Sequence, residues 1–205
     1  MTKTDFTDCF LARLEKGFSE RNSAEIQNLN LESLLVSVLR DAILFNSKVP
    51  AYKSKEYDYL RMRKKNEREQ IAFRAAYLFE SLYFIDKNNL LYFKDDFVKI
   101  LSVITNESSK RHFGKILTDV LKNNLLTFTN EEYEELAETV VTWAVAPQTR
   151  VAVQIWAFEI LVLLREKAHI AEETIFYLFE MFARDSSPAM KCRLKRWKKK
   201  YNFLY

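Results

Sequence analysis

Glycine is the residue whose scarcity most constrains what this chain can fold into. The sequence contains two glycines, Gly17 and Gly114, in 205 residues, whereas average usage of roughly 7% predicts about fourteen. Tight hairpin turns and phosphate-binding loops depend on glycine, because glycine alone adopts positive φ without steric cost. The dinucleotide-binding fingerprint and the P-loop are therefore excluded, and β-sandwich folds are disfavoured.

Apolar residues recur at helical spacing along nearly the whole chain. Two of the clearest faces are Ile71/Ala75/Leu78/Leu82 and Val153/Ala157/Ile160/Leu164. No stretch alternates between apolar and polar residues as a half-buried strand does. Short polar breaks, among them Asn123-Asn124 and Asp86–Asn89, divide the chain into about nine predicted helices. Pro147 and Pro188 fit helix starts, where the missing N–H costs nothing. The predicted fold class is all-α.

Composition places the chain among globular proteins. Hydrophobic residues make up 48% of it, yet no apolar run approaches the roughly 18 residues of a membrane span. The first ten residues are polar and acidic and lack the apolar core of a signal peptide. Cys9 and Cys192 lie at opposite ends of the chain and are expected to be reduced. We therefore expect a cytoplasmic protein without a membrane span.

Apolar positions also recur in every second predicted helix, at a constant spacing along the sequence. Four columns show it: Phe97/Leu136/Ile175, Val98/Ala137/Phe176, Leu101/Val140/Phe179 and Ile104/Trp143/Phe182. The intervening helices repeat at nearly the same spacing, in the pairs Pro147/Pro188, Arg150/Lys191, Val153/Leu194 and Trp156/Trp197. A period of about 40 residues with two helices per unit is typical of helical-hairpin solenoids. The alternative is a non-repetitive helical bundle whose apolar registers coincide.

The chain resembles the HEAT/armadillo-like family of helical repeats. The resemblance rests on the segments 74–80, 109–117 and 147–161, the last of which has the order Pro, Arg-Val and then a small residue. It covers roughly residues 60–200 of a single expected domain, 1–205. It implies a right-handed α-α superhelix of about four helical hairpins. The final helix, Ala189 to about Phe203, is expected to cap the stack. Such motifs specify a fold rather than an activity.

The sequence contains no local motif for a metal, a cofactor or a catalytic triad. His112 and His169 lie far apart in the chain, and neither has a second ligand at i+3 or i+4, so no metal or cofactor site is predicted. We expect His112 at the surface or capping a helix, and His169 in a solvated turn. The acids Glu131–Glu138 open a helix, where its dipole favours negative charge.

One short string is similar to a fragment of the adenylosuccinate lyase and fumarase signature loop. It is Ser186-Ser-Pro-Ala-Met-Lys191, and the catalytic serine of that loop would here be Ser187. The string departs from the family pattern, because Pro188 precedes Met190 and no Asn-Pro follows Lys191. A lyase-type enzyme is therefore the third functional hypothesis.

Basic residues are concentrated near the end of the chain. Seven of the ten residues from Lys191 to Lys200 are Lys or Arg, so the remaining residues carry −3 of the formal net charge of +4. The candidate phosphate-binding residues are Lys110, Arg111, Arg150, Lys191, Arg193, Lys195, Arg196 and Trp197. A basic stripe interleaved with aromatics is typical of proteins that bind a phosphate backbone. Some HEAT-like proteins, such as the alkylpurine DNA glycosylases, act on DNA. Alternatively, the basic residues pair with acids of neighbouring units or solubilise the cap.

The leading functional hypothesis is a non-catalytic scaffold or adaptor for a protein or peptide partner. Solenoids offer an extended concave surface, lined by the second helix of each hairpin. The candidate contact residues on that surface are Lys99, Glu134 and Glu138. A HEAT-like protein that binds nucleic acid is the alternative hypothesis.

Overall fold

The computed structural model describes residues 64–170, 172–184 and 187–204, and the regular elements of this part are helical. The α-helices are α1 (Lys65–Ile85), α2 (Phe97–Val103), α3 (Glu107–Asn123), α4 (Asn130–Val145), α5 (Val151–Leu164), α6 (Glu172–Arg184) and α7 (Pro188–Lys200). Two 3-10 helices span Lys87–Asp96 and Asn202–Leu204. These residues contain no strand, which confirms the all-α prediction for them. Gly17 and Cys9 lie outside the described residues.

The chain divides within α3 into two compact units, which we call unit 1 (Met1–His112) and unit 2 (Phe113–Tyr205). In unit 1, the 3-10 helix Lys87–Asp96 packs against both α1 and α2. Leu78, Phe79 and Phe97 are fully buried there. The prediction of a single repeat domain stays a prediction.

The end of α1 is fixed by the polar segment that the sequence marks as a break. Asp86 accepts a hydrogen bond from the Asn88 N–H at 2.9 Å. Asn89, which is buried, donates its side-chain N–H to the Leu82 carbonyl at 3.1 Å. The same carbonyl also accepts a hydrogen bond from the Asp86 N–H at 3.0 Å, so a backbone donor and a side-chain donor together hold the last turn of α1. The break thus ends α1 and starts a 3-10 helix instead of an open loop.

Helix α5 lies among the other helices of unit 2. It packs against α4, α6 and α7, and α6 and α7 also pack against each other and against the 3-10 helix Asn202–Leu204. Its sequence, VAVQIWAFEILVLL, is apolar nearly all round, as expected of a helix covered on most sides. Phe158, Leu161 and Leu164 are fully buried.

The predicted apolar columns are buried at eleven of their twelve positions. In α4, for example, Leu136 and Val140 are fully buried. The exception is Phe176 of α6, which is 42% exposed, whereas Val98 and Ala137 of the same column are 8% and 7% exposed. Phe176 is therefore the one column residue that is exposed among the described residues.

The two prolines expected at helix starts differ in outcome. Pro188 is the first residue of α7, as predicted. Pro147 instead occupies the second position of a β-turn closed by a hydrogen bond from the Thr149 N–H to the Ala146 carbonyl at 3.0 Å, and α5 begins at Val151. The prediction for Pro147 is wrong because fixed φ suits the second position of such a turn as well as a helix start.

Candidate functional site

Helix α7 carries a buried stripe on one side and cations on the other. Met190, Leu194 and Trp197, at i, i+4 and i+7, are buried. Four exposed cations make no ion pair with any residue that the structure describes, and α7 contains no acid. We define the α7 basic face as Lys191, Lys195, Arg196 and Lys199.

Three further cations of α7 interact with side chains outside the basic face. Arg193 is half-buried, and its charge lowers the pKa of Tyr201, although other effects outweigh it. The Lys198 ammonium lies 5.5 Å from the centre of the Phe179 ring, within cation–π range. Lys200 pairs with Glu159 at 2.9 Å. Lys198 and Lys200 help to hold α7 on the rest of unit 2, and Arg193 is half-buried, so these three residues are left out of the basic face.

Trp197 lies beneath α7 rather than on its exposed side. Its side chain is 1% exposed, and its indole N–H donates to Glu159 Oε1 at 2.7 Å. Its ring stacks on Phe158 at a centroid distance of 4.1 Å. Of the candidate phosphate-binding residues, Trp197 is thus a core residue whose ring is already covered.

Glu159 accepts hydrogen bonds from three side chains at the C-terminal end of α7. They come from Trp197, from the Lys200 ammonium at 2.9 Å and from the Tyr201 hydroxyl at 2.7 Å. Burial acts to raise the pKa of this carboxyl, but the hydrogen bonds and the charge of Lys200 outweigh it, and the pKa lies below its usual 4.5. Burial, together with the Glu159 carboxylate, raises the pKa of Tyr201. This cluster anchors the C-terminal end of α7.

Glu159 is not among the residues predicted from the sequence, although the sequence contains a pattern that points to it. It is the single acid in α5. A lone carboxylate in an apolar helix needs buried donors, and basic and aromatic residues occur one repeat period later, at Trp197, Lys200 and Tyr201.

The other predicted phosphate-binding cations lie on α3 and at the start of α5. Lys110 pairs with Glu107 at 2.7 Å, one turn earlier in α3. Arg111 is exposed and makes no ion pair with a described residue. Arg150 is exposed at the N-cap of α5. Lys110 and Arg111 belong to unit 1, whereas Arg150 belongs to unit 2 with α7.

His112 corrects one prediction and His169 confirms another. His112 is 1% exposed, and its Nδ1 lies 2.5 Å from a Glu80 carboxylate oxygen. It contacts the rings of Phe73 and Tyr77 at centroid distances of 5.8 and 5.5 Å. The expected surface position is wrong because α3 starts at Glu107, which places His112 more than a turn inside the helix. His169 is exposed in a turn with φ of 48°.

The candidate concave-face residues are exposed on two different units. Lys99 projects from α2 in unit 1, and Glu134 and Glu138 from α4 in unit 2. The start of α4 is a capping box, in which Thr129 accepts from the Glu132 N–H and Glu132 from the Thr129 N–H. The hydrogen bonds of the Glu131 carboxylate to its own backbone and to Thr129 lower the pKa of Glu131. The acidic run thus acts at least partly in forming the helix, as expected.

A cavity of about 290 Å³ lies where α4, α5, α6 and α7 bring their ends together. Val145, Met181 and Met190 give it apolar walls, and Gln154 and Ser187 add polar groups. The Ser187 hydroxyl accepts a hydrogen bond from the Met190 N–H at 3.2 Å. The serine that a lyase-type loop would require therefore serves here as the N-cap of α7.

Comparison with known proteins adds no relative: no family model, curated protein or solved structure matches the chain. Among the described residues, no group of three His, Cys, Asp or Glu side chains could hold a metal ion. No described helix combines the length and the hydropathy needed to cross a membrane.

Proposed function

We propose that this chain is a non-catalytic helical-repeat protein that binds the phosphate backbone of nucleic acid through the α7 basic face. The observation that carries the proposal is that Lys191, Lys195, Arg196 and Lys199 are exposed on one helix without an acidic partner among the described residues. Two other cations of the chain, Lys110 and Lys200, are paired with acids.

The dimensions of the α7 basic face suit a polyanion. Lys191, Lys195 and Lys199 follow one another at i, i+4 and i+8, so they rise along the helix over about 12 Å. B-DNA presents one phosphate charge per about 1.7 Å of axis, which gives roughly seven charges over that length. Arg196 widens the row and adds a planar group suited to bidentate phosphate contact.

The anchoring of α7 also supports the proposal. Met190, Leu194 and Trp197 are buried, and Glu159 binds Trp197 and Lys200. A helix fixed in this way presents its cations in one arrangement, which lowers the entropic cost of binding.

We further propose that the helices belong to a right-handed superhelix of HEAT/armadillo type, with α7 as its cap. Two observations support this arrangement. Helix α5 packs against both α4 and α6, as a helix between two repeat units would. The repeated apolar columns are buried at eleven of twelve positions, which is expected when equivalent residues line the core of a repeat array.

Fluorescence anisotropy with labelled duplex and single-stranded DNA over a salt series tests the nucleic-acid function. We expect log K to fall with log salt at a slope of about −0.9 per neutralised phosphate on duplex. Lys195→Glu should weaken binding at every sequence and reduce the slope by about one. The matched control is Lys122→Glu, which makes the same charge change at an exposed residue of α3 in the same unit.

Three results would overturn the proposal. One is an absence of binding even at low salt. Another is an equal loss in the Lys195→Glu and Lys122→Glu variants, which would mean that only net charge matters. The third is binding to anionic vesicles without binding to DNA, which would assign the α7 basic face to a membrane surface.

A protein or peptide partner is the second candidate function. The observation in its favour is that Glu134 and Glu138 are exposed on α4 and pair with no described cation. An acidic helix face suits a basic segment of a partner. Binding of a labelled lysine-rich peptide that is lost in a Glu134→Lys/Glu138→Lys variant would support it.

A further inference from the structure

One side of helix α6 packs into the core of unit 2. Its opposite side carries exposed aromatic rings flanked by charged residues. Ile175, Leu178, Phe179 and Phe182 are buried. On the other side, Glu173, Tyr177, Glu180 and Arg184 follow at i, i+4, i+7 and i+11 and so form one line along the helix. We define the α6 stripe as Glu173, Phe176, Tyr177, Glu180, Ala183 and Arg184.

The aromatic pair of the α6 stripe makes it a candidate interaction surface. Tyr177 is 64% exposed and Phe176 is 42% exposed. The residues at the Phe176 position in α2 and α4, Val98 and Ala137, are buried. The phenylalanine side chain is also larger than the valine and alanine side chains at the equivalent positions. Two adjacent exposed rings on an otherwise ordinary surface helix mark an interaction site more often than a scattered apolar residue does.

The charges of the α6 stripe determine which helix fits. Glu173 lies in the first turn and Arg184 in the last turn, and neither pairs with a described residue. A second α6 that runs antiparallel, with a two-fold axis near residue 179, places Glu173 opposite the partner's Arg184, and the symmetry repeats this pair. A parallel copy would instead place acid beside acid.

The same register matches the uncharged residues. Phe176 comes beside the partner's Ala183, so a large side chain meets a small one. Tyr177 comes beside the partner's Glu180, which can accept a hydrogen bond from the tyrosine hydroxyl. A surface that complements itself about a two-fold axis is what an isologous dimer requires.

We propose that two copies of this chain form a homodimer through antiparallel pairing of their α6 stripes. The interface is small, because α6 has 13 residues and is about 20 Å long. We therefore expect a dissociation constant on the order of micromolar. The α7 basic face contains none of the stripe residues, so the proposal does not depend on the function proposed above.

Sedimentation velocity across about 1–200 µM protein tests the dimer. The wild-type mass should rise with concentration from 24.4 kDa towards twice that value. Arg184→Glu and Glu173→Arg should each weaken association at least tenfold, because each places like charges together. The double variant Glu173→Arg/Arg184→Glu should return to within about threefold of wild type, since it exchanges the two charges and keeps their attraction.

Two variants complete the experiment. Phe176→Ala should weaken association at unchanged net charge. The control Glu135→Arg reverses an exposed acid of α4 and should leave association unchanged, and circular dichroism checks that every variant keeps its helix content. A wild-type chain that stays monomeric throughout overturns the proposal. So does a double variant as monomeric as either single variant, and so does a dimer that none of the α6 substitutions affects.

Discussion

A single carboxylate, Glu159, shows how one residue fixes the position of a whole surface. It is buried in an apolar helix and accepts three hydrogen bonds from Trp197, Lys200 and Tyr201. Those bonds lie beneath and beside the α7 basic face. An acid that is not among the proposed phosphate contacts therefore helps to position that surface.

The Glu159→Gln variant should lose stability at neutral pH, by about 1–3 kcal/mol, because Lys200 loses its ion pair and Tyr201 its charged acceptor. Hydrogen bonding holds the pKa of Glu159 below its usual 4.5 in the folded chain. The folded protein therefore binds fewer protons than the unfolded chain between the two pKa values. This part of the stability is present above about pH 4.5 and is lost as the pH falls through the folded pKa.

Urea unfolding between pH 7 and pH 3 measures this effect. The free energies of unfolding of wild type and Glu159→Gln should converge as the pH falls, because only the wild type loses the carboxylate contribution. The exposed acid Glu138, changed to Gln, is the control and should follow the wild type. A Glu159→Gln deficit that stays constant down to pH 3 would mean that the carboxylate charge contributes nothing.

Residue identities alone do not reveal which side of a helix faces the core. His112 and Trp197 were both expected to be accessible, yet each is 1% exposed. The rotation of α3 depends on where Asn106 caps it, by accepting hydrogen bonds from the N–H groups of Ser108 and Ser109 at 3.0 Å. A shift of one residue in that start turns His112 by about 100°. Periodicity determines the spacing of a face but not this starting point.

At the scale of elements, α3 and α5 approach each other closely at Gly114. A Cβ atom at Gly114 would lie 3.0 Å from Trp156 Cβ and 3.5 Å from Trp156 Cγ. Trp156 Cβ is attached directly to the α5 backbone and cannot rotate away. The glycine is therefore needed for the close approach of two helices and not for a turn.

Gly114→Ala should destabilise unit 2 even though alanine is the better helix former. The propensity gain is about 1 kcal/mol, and the overpacking cost is about 1–3 kcal/mol, so the free energy of unfolding should fall by up to about 2 kcal/mol. Chemical denaturation measures the change. The control is Lys122→Ala, at an exposed position of the same helix. It should change stability by less than about 0.5 kcal/mol, as surface substitutions usually do. A more stable Gly114→Ala variant would show that the helices separate without cost.

Element types were more predictable than element ends. The absence of alternating patterns and the 3.6-residue helical periodicity predicted helices, and helices are what the described residues form. Asn123 ends α3, and Asn124 follows with φ of 49°, as the polar break predicted. The helix start predicted at Pro147 was wrong because a β-turn and a helix start require the same φ of proline. Only the neighbouring hydrogen bonds distinguish the two structures.

At the scale of the molecule, three residues of the α7 basic face, Lys191, Lys195 and Arg196, were candidates from the sequence, whereas the α6 stripe was not predicted. A run of lysines is visible in a linear sequence, since charge does not depend on the fold. The α6 stripe, in contrast, is recognised by the solvent exposure of its aromatic side chains, which depends on the fold. Phe176 belongs to the same apolar column as Val98 and Ala137, and its exposure appears only when the packing around all three is known.

The two proposed surfaces should fail independently, because they share no residue. Phe176→Ala should shift the chain to monomer and leave the affinity for a short duplex within about twofold of wild type, since it changes no charge. Lys195→Glu should do the reverse, with weaker DNA binding and an unchanged dimer. Sedimentation velocity and anisotropy on the same samples measure both quantities. A single variant that abolishes both would mean that the α7 basic face depends on the dimer, and that the two surfaces work as one site.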